Sequence, residues 1–444
     1  MPPSLRQPVR IVPLAYLGAI VLGTLLLLLP ICRREPVDVP VVTALFTAAS
    51  ALCVVGLSVV DSPDYWSGTG WAVITVLTQL GGFGIMALAS LLSLLVSQRL
   101  GLRNRLIVQT ETNALSLGNV RRMLVRIAAI ALSCEAAVTL VLAARFWLSY
   151  DYPPLRALWY GLFHAVQAFN NCGFSLFRTS MVDFVGDWWI CLPLIIAVIL
   201  GSLGYPVLFE LVRDIRRPSC WSVHTRLTVW GSLALLVFGF LFMLAFEWRN
   251  PHTFGPLGGS PKVLAALFQN TMARSGGLVS VDISALRSET IAMLTAMMFI
   301  GGGSASTAGG IKVSTFFLLA FVIWAEVRGE PDVVIAKRRI TESTQRAAVT
   351  VALLGTAAVS AGALLVVALS TEVEFHHALF EVASAFGTSG MAVLPTSDLP
   401  APAQVVLVAL MFVGRVGVVT VASGIALNTR PRYYRYPEER PIVG

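Results

Sequence analysis

Four times along the chain a small residue, a Leu and a Phe are followed nine or ten residues later by a Gly. The copies are Ala44-Leu45-Phe46 to Gly56, Gly161-Leu162-Phe163 to Gly173, Ala266-Leu267-Phe268 to Gly277, and Ala378-Leu379-Phe380 to Gly390. Peptide carbonyls can replace the water around an alkali cation. Aiming successive carbonyls at one axis requires backbone angles that Gly adopts at little cost. The residues that would do this read Cys53-Val54-Val55-Gly56, Asn171-Cys172-Gly173, Ser275-Gly276-Gly277 and Thr388-Ser389-Gly390. One such Gly alone would fit a tight turn or a close helix contact equally well. Four in register, each behind a Leu-Phe pair, point to a ring of carbonyls and hence to an ion pathway.

Such strands need a membrane bundle to hold them. The chain is 56% hydrophobic and only 13% charged, with a mean hydropathy of +0.77, whereas soluble domains average about 25% charged. Stretches of roughly 20 apolar residues, enough to cross a hydrocarbon core, fall near 11–31, 71–96, 127–148, 188–212, 226–246, 290–325, 347–370 and 402–427. The fold class expected is therefore all-α and polytopic, with eight transmembrane helices. The first span lacks a small-residue cleavage site and reads as a retained helix. The filter-type glycines are 117, 104 and 113 residues apart, too far for a solenoid unit. They divide the chain into four pseudo-symmetric helix, pore-loop, helix repeats at 11–100, 124–217, 224–330 and 346–428, with no separate soluble domain. Each segment from Leu-Phe to Gly is too short to cross the bilayer. It reads as a re-entrant half-helix with an extended return strand, which survives at membrane depth only where it lines water or is buried in protein. The partially negative C-terminal end of that half-helix would face a cation.

Charge gives the orientation. The segments before the first span and after every even span hold 21 of the 32 Lys and Arg, among them Arg99, Arg121, Arg216, Lys337, Arg338 and Arg430, while the alternate loops hold nine. The positive-inside rule then puts both termini in the cytoplasm. A net charge of +8 distributed in this way fits a surface facing anionic lipid, not a nucleic-acid groove. The opposite loops hold 14 of the 24 acidic residues, including Asp38, Asp61, Asp64, Asp187 and Asp398. They would either concentrate cations at an outer mouth or simply solvate the loops. Six cysteines form no C-x-x-C pair and give no metal spacing.

In the third repeat, Gly301-Gly302-Gly303-Ser304-Ala305-Ser306-Thr307-Ala308-Gly309-Gly310-Ile311-Lys312 interrupts a span. Each Gly costs a helix about 1 kcal/mol, so the span breaks there, either as a movable plug beneath the filter or as a Gly-rich packing seam. It is not a phosphate loop, because no Gly-Lys-Ser/Thr triplet closes it. Lys312 would anchor the loop's end or snorkel to the interface. Arg415 lies deep in the last span, where a charge costs about 2.5–3.5 kcal/mol and must face water or a partner. Glu135 and Glu210 are the candidate partners. Gly82-Phe83-Gly84-Ile85-Met86-Ala87 matches a dinucleotide fingerprint by letters only, since no strand precedes it. It reads, with Gly201 to Gly204 and Gly414 to Gly417, as helix packing. His164, His376 and His377 read as solvent-facing or capping residues without a metal constellation.

The four pore segments, Phe46 to Leu57, Ala168 to Phe174, Ala273 to Gly277 and Ala383 to Gly390, resemble those of the Trk/Ktr/HKT cation transporters. The likeness spans nearly the whole chain and is nearest to the Ktr-type membrane subunit. It implies potassium uptake, downhill through the four Gly-centred strands, across a plasma membrane such as the bacterial inner membrane. In that family four filter glycines accompany potassium permeation. Val55, Gly276 and Ser389 depart from the pattern and bear on selectivity. The likeness further implies that the 301–310 loop and Arg415 form an intramembrane gate. It also implies a homodimer docked on a cytoplasmic ring of nucleotide-binding regulatory subunits. A sodium-permeable transporter, or a sodium-coupled symporter, is the alternative within the family. Outside it stands a polytopic membrane enzyme using Ser304, Ser306 or a His, which would leave the fourfold repeat unexplained. The chain is expected not to be an enzyme.

Overall fold

The structure, a computed structural model, describes residues 8–34, 39–99, 117–370 and 372–417. Its helices in chain order are α1 (Pro8–Leu27), α2 (Val41–Leu52), α3 (Ser62–Tyr65), α4 (Gly68–Arg99), α5 (Leu117–Ser149), α6 (Pro154–Asn170), α7 (Trp188–Leu203) and α8 (Tyr205–Asp214). They continue with α9 (Val223–Glu247), α10 (Gly259–Ala273), α11 (Ser288–Phe299), α12 (Val313–Val327), α13 (Glu342–Leu369), α14 (Phe375–Gly387) and α15 (Ala401–Val416). A two-stranded hairpin, β1 (Val334–Ile335) and β2 (Arg338–Arg339), lies between α12 and α13.

Local chemistry sets the length of the four Leu-Phe helices α2, α6, α10 and α14. Pro40 and Pro153 precede α2 and α6, where a missing N–H is harmless and a fixed φ suits the first turn. Just beyond α2, α6 and α14 the chain turns left-handed at Val54, Asn171 and Thr388, with φ of 57°, 61° and 50°, ending each helix. That conformation strains a non-Gly residue by about 1–3 kcal/mol, so the surrounding contacts must hold it. Helix α10 ends differently: Arg274 stays helical and Gly277 takes the positive φ, 66°.

The long helices carry apolar side chains on their outer faces: Leu140 is 68% exposed, Leu241 56% and Leu353 66%. A belt of that kind suits lipid, not water. The Leu-Phe helices are the opposite, with Phe46, Phe163, Phe268 and Phe380 all fully buried. Packing runs around a circle. Helix α4 lies on α6, α7 on α10, α11 on α14, and α15 on α2.

The spans depart from eight continuous crossings. Among the described residues, Leu124–Ser149, Val223–Glu247 and Glu342–Leu369 are long and apolar enough to cross a membrane. The expected span 188–212 is bent by 104° between α7 and α8, because Gly204 takes a φ of 87°. A Cβ on Gly204 would strike the Ser304 carbonyl of the 301–310 loop. The third repeat leaves helix after Phe299 and resumes at Val313. The linker around Arg103, both chain ends and the stretch of the last repeat beyond Gly417 lie outside the described residues.

Candidate functional site: four return strands above a buried loop

Directly behind its Leu-Phe pair each short helix carries a polar residue, Thr47, His164, Gln269 or Glu381, none of them exposed. Three reach across to their own return strand. Leu176 N donates to His164 Nε2 at 3.5 Å, Ser280 N to Gln269 Oε1 at 3.2 Å, and Val393 N and Leu394 N to Glu381 Oε1 at 2.8 and 3.2 Å. Buried main-chain donors without partners are costly, so these braces fix the strand against its helix. In repeats 1 and 4 a Ser does the same closer in: Gly56 N donates to Ser50 Oγ at 3.0 Å, and Gly390 N to Ser384 Oγ at 3.1 Å. Sequence reasoning passed over these braces, although a polar residue after every Leu-Phe was visible.

The four strands converge. Gly173 N donates to Val55 O at 3.1 Å. A Cβ on Gly56 would land on the Gly173 backbone, one on Gly173 would press on Gly277, one on Gly277 would strike Ser389 O, and one on Gly390 would strike Val55 O. Gly56, Gly277 and Gly390 also hold positive φ, 98°, 66° and 91°, so no larger residue fits by space or by backbone. The Ser389 hydroxyl donates to Ala273 O at 2.7 Å, tying repeat 4 to repeat 3. Above Gly56 and Gly173 opens a vestibule of about 380 Å³ lined by Asp61, Ser175 and Thr396, among others. The acidic loops are more neutral than their count implies. Asp64 pairs with Arg178 and Arg34, and Asp187 with Arg145, which leaves Asp61 as the carboxylate lining the vestibule.

Beneath the strands the 300–312 segment folds back on itself. Gly301 N donates to Ile311 O at 2.9 Å, and Val313 N to Gly302 O at 3.0 Å. Its crest docks on the repeat 2 break, with Gly303 N on Ser202 O at 2.7 Å and Thr307 N on Gly201 O at 3.2 Å. It also touches the strands, since Gly309 N donates to the Thr388 hydroxyl at 2.8 Å. Three buried or half-buried cations hold its carbonyls. Arg274 reaches Gly301 O at 3.3 Å, Lys312 Nζ reaches Ala308 O at 2.6 Å, and Arg415 donates to Thr307 O and, at 2.8 Å, to Gly81 O. Lys312 thus turns into the loop rather than out to the interface. Pairing of Arg415 with Glu135 or Glu210 is overturned: Glu135 accepts from Gln79 and Asn170, and Glu210 from Ser222 and Thr225. Arg274 was missed because it reads as a loop charge beside a filter segment.

Gly82, Gly201 and Gly414 are packing glycines, meeting Asn170, Phe169 O and Phe386 O respectively. His164 is buried, not solvent-facing. Its Nδ1 meets Tyr160 O at 2.8 Å, its Nε2 meets Ser175 Oγ at 3.2 Å, and Phe177 stacks on the ring. Ser304 and Ser306 are spent on Ser314 and on Gly303 O. At the start of α14, Glu374, His376 and His377 bring one ligand atom each within 4.8 Å of one another, a grouping that sequence reasoning had denied. Burial, then His376, lowers the pKa of His377 below the ordinary value.

Short helices that stop inside an apolar bundle and hand over to converging non-helical segments fit a polytopic membrane protein. The family described as "TrkH: Cation transport protein" matches residues 2–429, and the chain belongs to it. It is 34% identical to the Ktr system potassium uptake protein B of Bacillus subtilis (strain 168), over 98% of this chain and 97% of that protein. It is 32% identical to the protein of that name from Vibrio alginolyticus, over 98% and 94%. The Potassium/sodium uptake protein NtpJ of Enterococcus hirae is 26% identical over 99% and 97%. The crystal structure of the potassium transporter TrkH from Vibrio parahaemolyticus has the same fold, with a TM-score of 0.71 at 20% identity, covering 96% of this chain and 85% of that one. The chain is accordingly a multi-pass membrane transporter and not an enzyme.

Proposed function

We propose that the chain takes up potassium through a single pore enclosed by four pseudo-symmetric repeats crossing the membrane eight times. The filter is the set of carbonyls around Gly56, Gly173, Gly277 and Gly390. The 301–310 loop, held by Arg415, is the gate, and ions flow down their electrochemical gradient. The observation that carries this reading is the mutual contact of those four glycines, which come from segments more than 100 residues apart. Both termini face the cytoplasm of a bacterial inner membrane, as the basic loops support. The full-length likeness to Ktr proteins supports a homodimer working with a cytoplasmic nucleotide-binding ring.

Rubidium uptake in cells lacking their own potassium uptake tests the filter. Gly277→Asp, matched to wild type for abundance in the membrane, is expected to abolish uptake. Uptake at the wild-type rate would remove the filter assignment. A sodium-permeable transporter is the second reading, favoured by the likeness to the Potassium/sodium uptake protein NtpJ. Excess sodium is expected to leave rubidium uptake largely unchanged.

A further inference from the structure

Between the repeat 2–3 linker and the β1–β2 hairpin lies a groove of about 700 Å³ that the transport site does not use. Arg226, Lys337 and Arg338 line it beside Trp221 and Trp230, and no carboxylate does. The acids nearby are engaged elsewhere: Asp332 pairs with Arg339 and Asp214 with Arg213, both at 2.7 Å, and Glu210 accepts from Ser222 N at 2.6 Å. Among the described residues neither Lys337 nor Arg338 makes an ion pair. Arg226 gives one Nη to Ser219 O at 2.6 Å, while its Nε is buried without a partner. Lys337 stands at the hairpin tip, where it and Ala336 both hold positive φ, 64° and 50°. That turn is normally made by Asn-Gly. Two non-Gly residues there keep a strained backbone that sets a cation over the groove.

Arg226 and Trp230 lie on one face of α9, and the same face continues through Leu233, Val237 and Leu241, 47%, 48% and 56% exposed. From Arg226 to Leu241 the helix rises roughly 20 Å, about the depth of one leaflet with its headgroup region. Cations at one end, an indole at the boundary and an apolar stripe below match a molecule with an anionic head and an acyl tail. A free anion would make no use of the stripe.

We infer that this groove is a binding site for an anionic phospholipid, its phosphate seated among Arg226, Lys337 and Arg338 and one acyl chain along the α9 stripe. The inference goes beyond the pore reading and does not depend on it. The test is native mass spectrometry of the full-length protein titrated with phosphatidylglycerol or phosphatidylcholine. Each cation removed is expected to lower phosphatidylglycerol retention by about fivefold, in Lys337→Gln and further in Arg226→Gln/Lys337→Gln/Arg338→Gln, with phosphatidylcholine unchanged. Lys337→Gln alters only an exposed tip, so it reports even if the triple variant fails to fold. Wild-type retention in Lys337→Gln overturns the site. Millimolar inorganic phosphate displacing the lipid would reassign the groove to a soluble anion, and loss of self-association at constant lipid retention would reassign it to a second protein copy. Both outcomes overturn the inference, and neither touches rubidium uptake.

Discussion

Two kinds of non-helical segment sit deep in this bundle, and they are held in opposite ways. The four return strands are fixed from within. Each hangs on its own short helix, through Ser50, His164, Gln269, Ser384 and Glu381, and the strands meet backbone to backbone at Gly56, Gly173, Gly277 and Gly390. The 300–312 loop is fixed from outside. Its carbonyls are held by Arg274 and Arg415 from other segments, along with its own Lys312, and its crest rests on the Gly204 break of repeat 2. Close main-chain contacts between four glycines cannot be released one at a time. A few charge-assisted bonds can, at about 1.5–3 kcal/mol each. On the proposed reading, the filter strands are held by contacts that give way together, and the gate loop by bonds that can break one at a time.

Gly56→Ala puts the comparison under the greatest strain. At φ 98° the new methyl would lie on the Gly173 backbone, so rubidium uptake should fall to background. Activity near wild type would mean the strands yield as readily as the loop. Arg415→Ala acts on the other side. Losing bonds to Thr307 O and Gly81 O frees the loop, and uptake should rise by about tenfold, the effect of one charge-assisted bond. A fall in uptake at equal abundance would show that Arg415 supports the pore rather than closing it.

Glu381→Ala sharpens the account of the strands. It leaves Val393 N and Leu394 N without their acceptor, at a cost of about 1–3 kcal/mol, seen as a lower thermal midpoint. Glu381→Gln keeps an acceptor oxygen and should recover most of the loss; a Gln variant as unstable as the Ala variant would count against the brace. The smallest effect is expected at Asp64→Asn. The residue is 40% exposed and paired with Arg178 and Arg34, and exposed pairs contribute no more than about 1 kcal/mol. Uptake should stay within about twofold of wild type, and a larger drop would make Asp64 part of the conduction path.

Local pattern carried much of this molecule. The fourfold Leu-Phe to Gly spacing, the interruption at 301–310 and the isolated Arg415 were all readable, because each is a departure from apolar periodicity within a short window. The bend at Gly204 was not, since one Gly in an apolar run looks like packing until its backbone angle is seen. The braces were readable in part. A polar residue follows Phe46, Phe163, Phe268 and Phe380, yet nothing local says that Glu381 reaches a strand twelve residues on.

Composition and hydropathy were enough to determine a mostly helical, multi-pass membrane chain, since those properties arise from residues near one another in the chain. Which groups meet was decided only by the tertiary structure. Arg415 donates to a carbonyl 334 positions away, and the contacts among the four glycines join segments separated by whole repeats. Contacts at such separation arise from the closure of the bundle, where buried cations and main-chain groups take whatever partners the packing brings within reach.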